Sequence, residues 1–412
     1  MSLSLITTII IFILISIRQW LPNWLRIWHI MSMGAIVILI MGEVSLKSAF
    51  LNIDWNVIAY LFGVFSIAAA LYDSGISERM CDYLNKHHPS ISISLLFLMV
   101  FSGITAAILT NDAAAVIGTP IALTLARLLK IRPTVLLIAL CTAVTIGSML
   151  TPVGNPQNIL IAAKGHITNP MSSFALWLVV PTLFSMMFAF FWLLYVQKKW
   201  GGVCQEHVDL PKPNHGSSWP AYLSVALLIT MILGDSVLIS LNPNYHMPIG
   251  IMALIACLPV YLFNPHRHTV FKEVDWATLV FFVAMFIVTG AVLASGDLQT
   301  WLGPKITELD HPPLLTMISF WGSQLFSNVP LIEIYLQLLT QQSLSTMMLL
   351  SATSTLAGNL FIISAASNVI VVQQTEKFNA KPFSFWEFAL TLLPITVVSL
   401  IFSYLWIVFV MS

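Results

Sequence analysis

Polar residues interrupt two apolar stretches in the first half of the sequence. The first interruption is Thr110, Asn111 and Asp112, and the second is Gly154, Asn155, Pro156, Gln157 and Asn158. Irregular backbone at membrane depth survives only where protein or a watery cavity covers it, so these segments indicate a polar cavity. Their hydroxyls, carboxamides and backbone groups could coordinate an ion or an oxyanion, and the positive N-terminal end of a half-helix could face an anion.

Asp112 is the ionisable residue of these segments. An acid inside a membrane segment costs about 2.5–3.5 kcal/mol on insertion scales and is a functional hypothesis by default. We expect Asp112 to bind a cation such as sodium or to carry a proton, with Asn111 and Asn158 beside the coupling ion. Glu333 is a weaker candidate, since it could face an aqueous cavity at a loop instead.

Similar polar segments stand at related points of the second half. Ser327 and Asn328 match Thr110 and Asn111, and the second break is matched by Ala365, Ala366, Ser367 and Asn368. An alignment with a one-residue gap pairs Gly147 with Gly358 and Asn158 with Asn368. We expect the four segments together to bind the substrate. The alternatives are that they only cap helix ends or form structural proline kinks.

The composition is that of a polytopic membrane protein. Of the 412 residues, 58% are hydrophobic and 8% charged, whereas soluble domains have about 25% charged residues. The net charge of zero gives no basic surface for nucleic acid, and the four scattered cysteines predict neither a disulfide framework nor a zinc site. We therefore expect no cofactor beyond a sodium ion.

Apolar runs of membrane-spanning length predict an all-α fold of about ten transmembrane helices. The runs are 3–17, 27–43, 55–72, 134–164, 172–197, 219–241, 245–263, 275–294, 345–375 and 386–411. Two further stretches, 91–130 and 313–341, are each interrupted in the middle and could be two short spans or one re-entrant hairpin. The polar interruptions favour hairpins.

The chain repeats itself in the opposite orientation. A segment that opens with Asp-Trp and closes with Ser-Gly starts at Asp54 and again at Asp275. Each half holds five spans and one hairpin, so an odd number of crossings inverts the second half, as in secondary transporters. The predicted domains are a first repeat at 1–197, a cytoplasmic linker at 198–218 and a second repeat at 219–412, with the second broken helix at 345–376.

The cationic residues predict which face is cytoplasmic. In this topology Lys47, Lys164 and Lys305 lie in loops on one face, and the remaining Lys and Arg lie on the other. The positive-inside rule makes the second face cytoplasmic and places both termini outside. We expect an integral protein of the bacterial inner membrane, with no Lys or Arg within its spans to neutralise Asp112.

These segments carry a resemblance to a known superfamily. The sequence resembles the arsenite permease and sodium/proton antiporter branch of the ion transporter superfamily, which also contains divalent-anion:sodium symporters. The matching segments are "TNDAAAVIGTPIAL" at 110–123, "GNPQN" at 154–158, "SNVPL" at 327–331 and "GNLFIISAASN" at 358–368. The resemblance implies paired re-entrant hairpins, ion-coupled alternating access and often a homodimer. It also places 110–112 and 327–328 at the hairpin tips.

The sequence favours a secondary active transporter that moves a small anion or oxyacid, coupled to protons or sodium. A sodium/proton antiporter, in which Asp112 alternates between the two cations, is the first alternative, and a channel is another. An intramembrane aspartyl protease is a remote alternative, because Asp73 and Asp235 superficially suggest two facing acids at span ends.

Overall fold

The structure, a computed structural model, consists of α-helices joined by short connections. It describes all residues except 1, 18–21, 23–24, 88–89, 201–217, 243–244, 246, 298–299, 301–307, 327, 340–342 and 412. The described helices of the first half are α1 (Leu3–Ser16), α2 (Ile27–Ile40), α3 (Leu46–Asn52), α4 (Trp55–Asp73), α5 (Ile76–His87), α6 (Ile91–Ile108), α7 (Asn111–Leu129), α8 (Thr134–Ser148), α9 (Pro156–Lys164) and α10 (Pro170–Trp200).

The second half follows the same plan. Its described helices are α11 (Trp219–Leu241), α12 (Ile249–Phe263), α13 (Arg267–Glu273), α14 (Trp276–Ser295), α15 (Pro312–Phe326), α16 (Asn328–Leu338), α17 (Leu344–Ala357), α18 (Ala366–Lys377) and α19 (Phe385–Leu405). A 3₁₀ turn, Ile362–Ser364, precedes α18, and a π-helical turn, Trp406–Val410, extends α19. The all-α fold predicted from the sequence is confirmed.

Short polar side chains mark where many helices begin. An apolar chain in lipid must satisfy its own backbone groups, which favours helices, but the first N–H groups of each helix still need acceptors. A side-chain oxygen accepts a hydrogen bond from such an N–H at Ser2, Ser45, Asp54, Ser90, Thr110, Asn155, Asp275, Ser343 and Ser384. Serine, asparagine and aspartate between apolar runs therefore set the helix boundaries.

Seven described helices have the length and hydropathy to cross a bilayer: α4, α6, α7, α10, α11, α14 and α19, the last including its π-helical turn. Shorter apolar helices account for the remaining predicted spans, among them α1, α2 and α12. The predicted span 134–164 divides into α8 and α9, and 345–375 divides into α17 and α18. The short helices α3, α5 and α13 were not predicted from the sequence.

The helix boundaries repeat at a fixed interval. Helices that start at 46, 55 and 91 have counterparts that start at 267, 276 and 312, an offset of 221 residues. After the hairpins the offset falls to 210, since α8 and α9 start at 134 and 156 and their counterparts start at 344 and 366. The second hairpin is the shorter one, because its arm α16 has 11 residues where α7 has 19.

Helices of the two repeats pack against each other at the centre of the fold. The half-helix α9 of the first repeat packs against α16 and α17 of the second, and α18 of the second repeat packs against α7 and α8 of the first. Each broken helix therefore contacts the hairpin of the other repeat. The two hairpins and the two broken helices therefore pack together at the centre of the fold.

The first hairpin ends level with the first break. Its tip, Leu109 and Thr110, lies between α6 and α7, and the backbone N–H of Asn111 donates to the carbonyl oxygen of Gly154 in the break, at 2.8 Å. Beyond the break α9 continues for nine residues, which is about 13 Å at 1.5 Å per residue. The tip of the first hairpin is thus fixed at the start of this half-helix.

Candidate functional site

The tip of the first hairpin is fastened to the first break. Besides the bond between Asn111 and Gly154, the hydroxyl of Thr151 donates to the carbonyl oxygen of Ala107 at 2.6 Å. The backbone is crowded here, because a Cβ on Gly154 would lie 2.2 Å from the carbonyl oxygen of Ser148. Glycine at 154 therefore allows the unwound turn to fold back onto the end of α8.

The same side-chain bond closes both breaks. The carboxamide nitrogen of Asn158 donates to the carbonyl oxygen of Ser148, ten residues earlier, at 3.2 Å. In the second repeat, the carboxamide nitrogen of Asn368 donates to the carbonyl oxygen of Gly358, also ten residues earlier, at 2.8 Å. Asn158 and Asn368 are therefore equivalent, as the alignment predicts. The equivalent of Gly358 is Ser148 and not the neighbouring Gly147.

Hydrogen bonds also join the first break to α17, the helix that precedes the second break. The amide nitrogen of Asn155 lies 3.0 Å from the hydroxyl oxygen of Ser148 and 3.2 Å from that of Thr355 in the second repeat. The hydroxyl of Ser351 donates to the carboxamide oxygen of Asn158 at 2.8 Å. The broken helices of the two repeats thus meet through buried polar side chains.

Several buried polar atoms of this region have no hydrogen-bond partner among the described residues. They are Oδ1 of Asp112, Oδ1 of Asn328, both side-chain polar atoms of Asn359, Oγ of Ser367 and Oδ1 of Asn368. Native proteins satisfy the large majority of such atoms, and exceptions require an explanation such as a functional role. These atoms give the site both oxygen acceptors and hydrogen-bond donors.

The two half-helices differ in how their first turns are capped. Asn155 caps α9, since its side-chain oxygen accepts from the backbone N–H of Asn158 at 2.8 Å. Ala365 occupies the same position before α18 and offers no side-chain cap. The N–H of Asn368 donates to the backbone carbonyl oxygen of Ala365 instead. No side chain caps the N–H groups before it, and the helix dipole there favours an anion.

A family model described as "Citrate transporter" matches residues 9–342 of the chain. The chain belongs to this citrate transporter family. Membership confirms the broader part of the expected resemblance, the ion transporter superfamily, and makes the protein an integral membrane transporter. The alternative of an intramembrane aspartyl protease is wrong, since the family and its named relatives are transporters and not enzymes.

Relatives of this family member come from bacteria and plants. The inner membrane protein YbiR of Escherichia coli K12 is 29% identical over 68% of this chain and 70% of its own. The silicon efflux transporter LSI3 of rice, Oryza sativa, is 24% identical over 89% of each chain. An uncharacterized transporter of Mycobacterium tuberculosis is 26% identical over 86% of this chain and 87% of its own.

A solved structure shares the fold of this citrate transporter family member. It is the crystal structure of the YdaH transporter of Alcanivorax borkumensis, which is described as having an unusual topology. The TM-score is 0.54 at 14% sequence identity, over 87% of this chain and 86% of that one. The all-helical transporter fold predicted from the sequence is therefore also found in a crystal structure.

The structure brings the predicted residues of the first hairpin tip and the first break together. Thr110 caps α7 through its hydroxyl, Asn111 accepts from the N–H of Asp112 through its side chain, and Pro156 begins α9. Buried residues of the predicted set are Thr110, Asn111, Asp112, Gly154, Asn155, Pro156, Gln157, Asn158, Asn328, Ala365, Ser367 and Asn368, whereas Ala366 is exposed. Ser327 lies outside the described residues.

Sequence reasoning missed some residues of the transporter's polar centre. Asn359 is fully buried, and the hydroxyls of Ser148, Ser351 and Thr355 hydrogen-bond to the asparagines of the first break. A signal was available for Asn359, because the Gly-Asn pair at 154–155 recurs at 358–359. The three hydroxyl residues gave no such signal, since serine and threonine often bond to their own helix backbone.

Two charged residues of the transporter also lie in unexpected places. Lys164, predicted in an extracytoplasmic loop, is the last residue of α9, and its ammonium forms an ion pair with Glu333 at 2.5 Å. Glu333 was predicted as a secondary candidate that could face water, but it is only 1% exposed. Lys164 thus lies at the end of the predicted span 134–164, and its partner is Glu333 and not Asp112.

The polar centre offers oxygen ligands and no cluster of strong metal-binding side chains. No group of three or more His, Cys, Asp or Glu side chains suited to a metal ion occurs among the described residues. The carboxamide of Asn158 is occupied by Ser148, Thr151 and Ser351 in this structure. Asp112 and Asn328 each have a side-chain oxygen without a hydrogen-bond partner among the described residues.

A separate groove between α4 and α14 has no polar lining that could bind an ion. Its volume is about 430 Å³, and it is lined by Trp55, Ile58, Ala59, Phe62, Trp276, Leu279, Val280 and Val283. The second four residues follow the first four at the offset of the repeat. The groove thus reflects the internal symmetry of the transporter and is distinct from the candidate site.

Proposed function

We propose that the protein is a secondary active transporter that moves a small, oxygen-rich anion by alternating access, driven by protons or sodium ions. The observation that carries the proposal is the meeting of two hairpins and two broken helices around buried polar atoms without partners. Transporters built from inverted repeats hold their solute near the membrane midplane, where discontinuous helices meet.

An anion suits the donors of the second break. The start of α18 presents backbone N–H groups and a helix dipole without a side-chain cap. Ser367 and Asn359 place a hydroxyl and a carboxamide without protein partners in the same segment. An oxygen-rich solute can accept hydrogen bonds from all of these groups, so carboxylates and oxyacids are the substrate classes that we propose.

The relatives narrow the candidate solutes. The family description names citrate, and the rice relative is named for silicon efflux. Citrate is a carboxylate, and silicic acid and arsenite are oxyacids, so one set of donors could serve all three. We propose citrate as the first solute to test, and arsenite as the form that the resemblance to arsenite permeases suggests.

Asp112 is the proposed coupling residue. It begins α7 beside the hairpin tip, is 6% exposed and has one carboxylate oxygen without a partner. A carboxylate so placed could bind sodium together with oxygens such as that of Asn328, or could accept a proton. Either cation would neutralise Asp112 and lower the cost of its burial in the membrane interior.

The predicted sidedness belongs to this proposal. We place both termini outside the cytoplasm, because the positive-inside rule then puts most cationic residues in the cytoplasm. The inner membrane is the proposed location, and the name of the Escherichia coli relative supports it. A homodimer, implied by the resemblance, is proposed as the working assembly.

Reconstituted transport tests the function and the role of Asp112. Proteoliposomes with an imposed proton or sodium gradient should accumulate citrate, arsenite or silicic acid, and flux should saturate, which distinguishes a carrier from a channel. Asp112→Asn should abolish gradient-driven accumulation and retain solute exchange at zero gradient, since Asn keeps the shape but carries no charge.

Asp73→Asn is the matched control. The side chain of Asp73 is 8% exposed, but it pairs with His266 at the end of α4, so its loss should leave coupling intact. Unchanged proton and sodium dependence in Asp112→Asn would overturn the coupling role. Sodium/proton exchange with no anion flux would instead favour the antiporter, for which Asp112 alone would suffice.

A further inference from the structure

The ion pair of Lys164 and Glu333 joins the two repeats. Lys164 ends α9 of the first repeat, and Glu333 lies on α16, the second arm of the other repeat's hairpin. One oxygen of Glu333 accepts from the ammonium at 2.5 Å and from the side chain of Gln337 at 2.8 Å. The other oxygen of Glu333 is buried and has no partner among the described residues.

The ammonium of Lys164 lies beside the middle of α14, a helix with the length and hydropathy to cross a bilayer. It is 4.8 Å from the ring centroid of Phe286, a fully buried residue near the middle of α14. Charged groups within membrane-spanning segments are costly and mark ion or substrate pathways. The side chain of Lys164 is nevertheless 26% exposed, compared with 2% for that of Glu333. The cation is therefore accessible while its partner is enclosed.

The pair is close to the proposed solute site along both chains. Lys164 follows Asn158 by six residues on α9, and Glu333 follows Asn328 by five residues on α16. At 1.5 Å per residue these separations are about 9 Å and about 8 Å along the helix axes. A solute with two or more carboxylates could reach from the polar centre towards Lys164.

Few other titratable groups face this pair. The helices that pack against α9 and α16 are α4, α14, α15, α17 and each other. Within these helices the other titratable side chains are Tyr60, Tyr72 and Asp73 on α4 and Tyr335 on α16, and His166 follows shortly after α9. Asp73 pairs with His266, and the Tyr335 hydroxyl donates to the carbonyl of Leu309. Glu333 is thus the acid in direct contact with Lys164.

We propose that Lys164 binds a carboxylate or similar oxyanion group of the transported solute, and that protonation of Glu333 releases Lys164 for this contact. With Glu333 ionised, an arriving anion would leave a net negative charge in a medium of low dielectric constant. With Glu333 protonated, the ammonium and the anion form a neutral pair. Proton binding and anion binding therefore favour each other, as reciprocal coupling requires.

The charges and protons balance in this exchange. One proton from water binds a carboxylate oxygen of Glu333, the contact between Glu333 and the ammonium is broken, and Lys164 keeps its own protons. The solute therefore binds together with one proton, which is held by Glu333. It is released when Glu333 loses that proton. This inference rests on the proposed anion transport, and it adds a second proton-accepting group to the proposed role of Asp112.

Citrate binding as a function of pH tests the inference. For the wild-type transporter, the citrate Kd should rise as much as tenfold per pH unit where Glu333 loses its proton, as expected for one linked proton. Glu333→Gln mimics the protonated acid in shape and hydrogen bonding. Its citrate Kd should stay low at high pH, and the ratio of wild-type to variant Kd should grow with pH. Comparison at each pH cancels the titration of citrate itself.

Lys164 variants complete the test. Lys164→Gln should weaken citrate binding at least tenfold at low pH, where protonated Glu333 releases Lys164 in the wild type. The double variant Lys164→Gln/Glu333→Gln should bind as weakly at that pH. Elution from a sizing column and thermal melting in detergent check that each variant is folded, and Asp73→Asn serves as the matched acid control. Wild-type affinity in the double variant at low pH, or an unchanged pH slope in Glu333→Gln, would overturn the proposal.

The two proposals fail in different ways. If Asp112→Asn still accumulates citrate, the proposed coupling residue is wrong, whereas the pH slope that Glu333 controls would stand. If Glu333→Gln keeps the wild-type pH slope while Asp112→Asn loses accumulation, the role of Lys164 and Glu333 is wrong, whereas the transporter proposal would stand.

Discussion

Gly154→Ala should separate the first hairpin from the first break. The added Cβ would lie 2.2 Å from the carbonyl oxygen of Ser148 and 2.7–2.8 Å from its Cα and carbonyl carbon. All three atoms belong to the backbone, so no side-chain rotation can relieve the contact. The turn must move by an amount that stretches the 2.8 Å bond between the Gly154 carbonyl and the N–H of Asn111.

The cost follows from these two effects. Overpacking a buried site costs about 1–3 kcal/mol, and loss of a buried hydrogen bond adds about 0.5–1.5 kcal/mol. We expect Gly154→Ala to destabilise the protein by about 2–4 kcal/mol. Transport should be lost as well, because the hairpin tip that carries Asp112 would no longer be fixed.

Two glycines provide a graded comparison for this prediction. A Cβ on Gly358, in the other break, would meet its nearest atoms at 3.1 Å, and a Cβ on Gly234 in α11 would meet nothing within 4 Å. Thermal melting in detergent should rank Gly154→Ala as the least stable, Gly358→Ala as intermediate, and Gly234→Ala as equal to or above the wild type. Wild-type melting and transport in Gly154→Ala would refute this reasoning.

Two further predictions concern hydrogen bonds between helices. Asn155→Ala removes the contacts with the hydroxyls of Ser148 and Thr355 and the cap of α9. Thermal melting in detergent should therefore show a loss of stability of about 1–3 kcal/mol. An unchanged melting temperature would show that these contacts do not stabilise the protein. Trp192→Phe removes the hydrogen bond from the indole to the carbonyl oxygen of Thr391, which joins α10 to α19. The protein should lose about 0.5–1.5 kcal/mol of stability and keep its citrate binding. Loss of citrate binding would show that this contact does more than pack the two helices.

Much of the fold could be predicted because lipid restricts the choice of structure. A span must be a helix of limited length, so apolar run lengths gave α11 at 219–241 without error and most other spans within a few residues. The repeat fixed the correspondence between halves, since the Asp-Trp pairs at 54 and 275 open equivalent helices. The short helices α3, α5 and α13 were not predicted, because a hydropathy window of membrane-spanning length averages over them.

The site could be predicted as a region, but its contacts could not. Proline, glycine and asparagine within an apolar run identify a break. Which carboxamide is then used to close the break depends on the partner helix, and here Asn158 is occupied whereas Asn359 is not. The pair of Lys164 and Glu333 joins residues far apart in the chain, so only the three-dimensional arrangement reveals it.

The half-helices α9 and α18 each pack against a hairpin arm of the other repeat, α16 and α7 respectively, and this packing has a consequence for biosynthesis. Ribosomes deliver the first hairpin and α9 long before their partners α16 and α18 exist. Until the last third of the polypeptide is inserted, the asparagines of the first break lack the hydroxyls of Ser351 and Thr355 that cover them. Assembly is therefore completed only near the end of translation, and an isolated N-terminal half should be a substrate for membrane quality control.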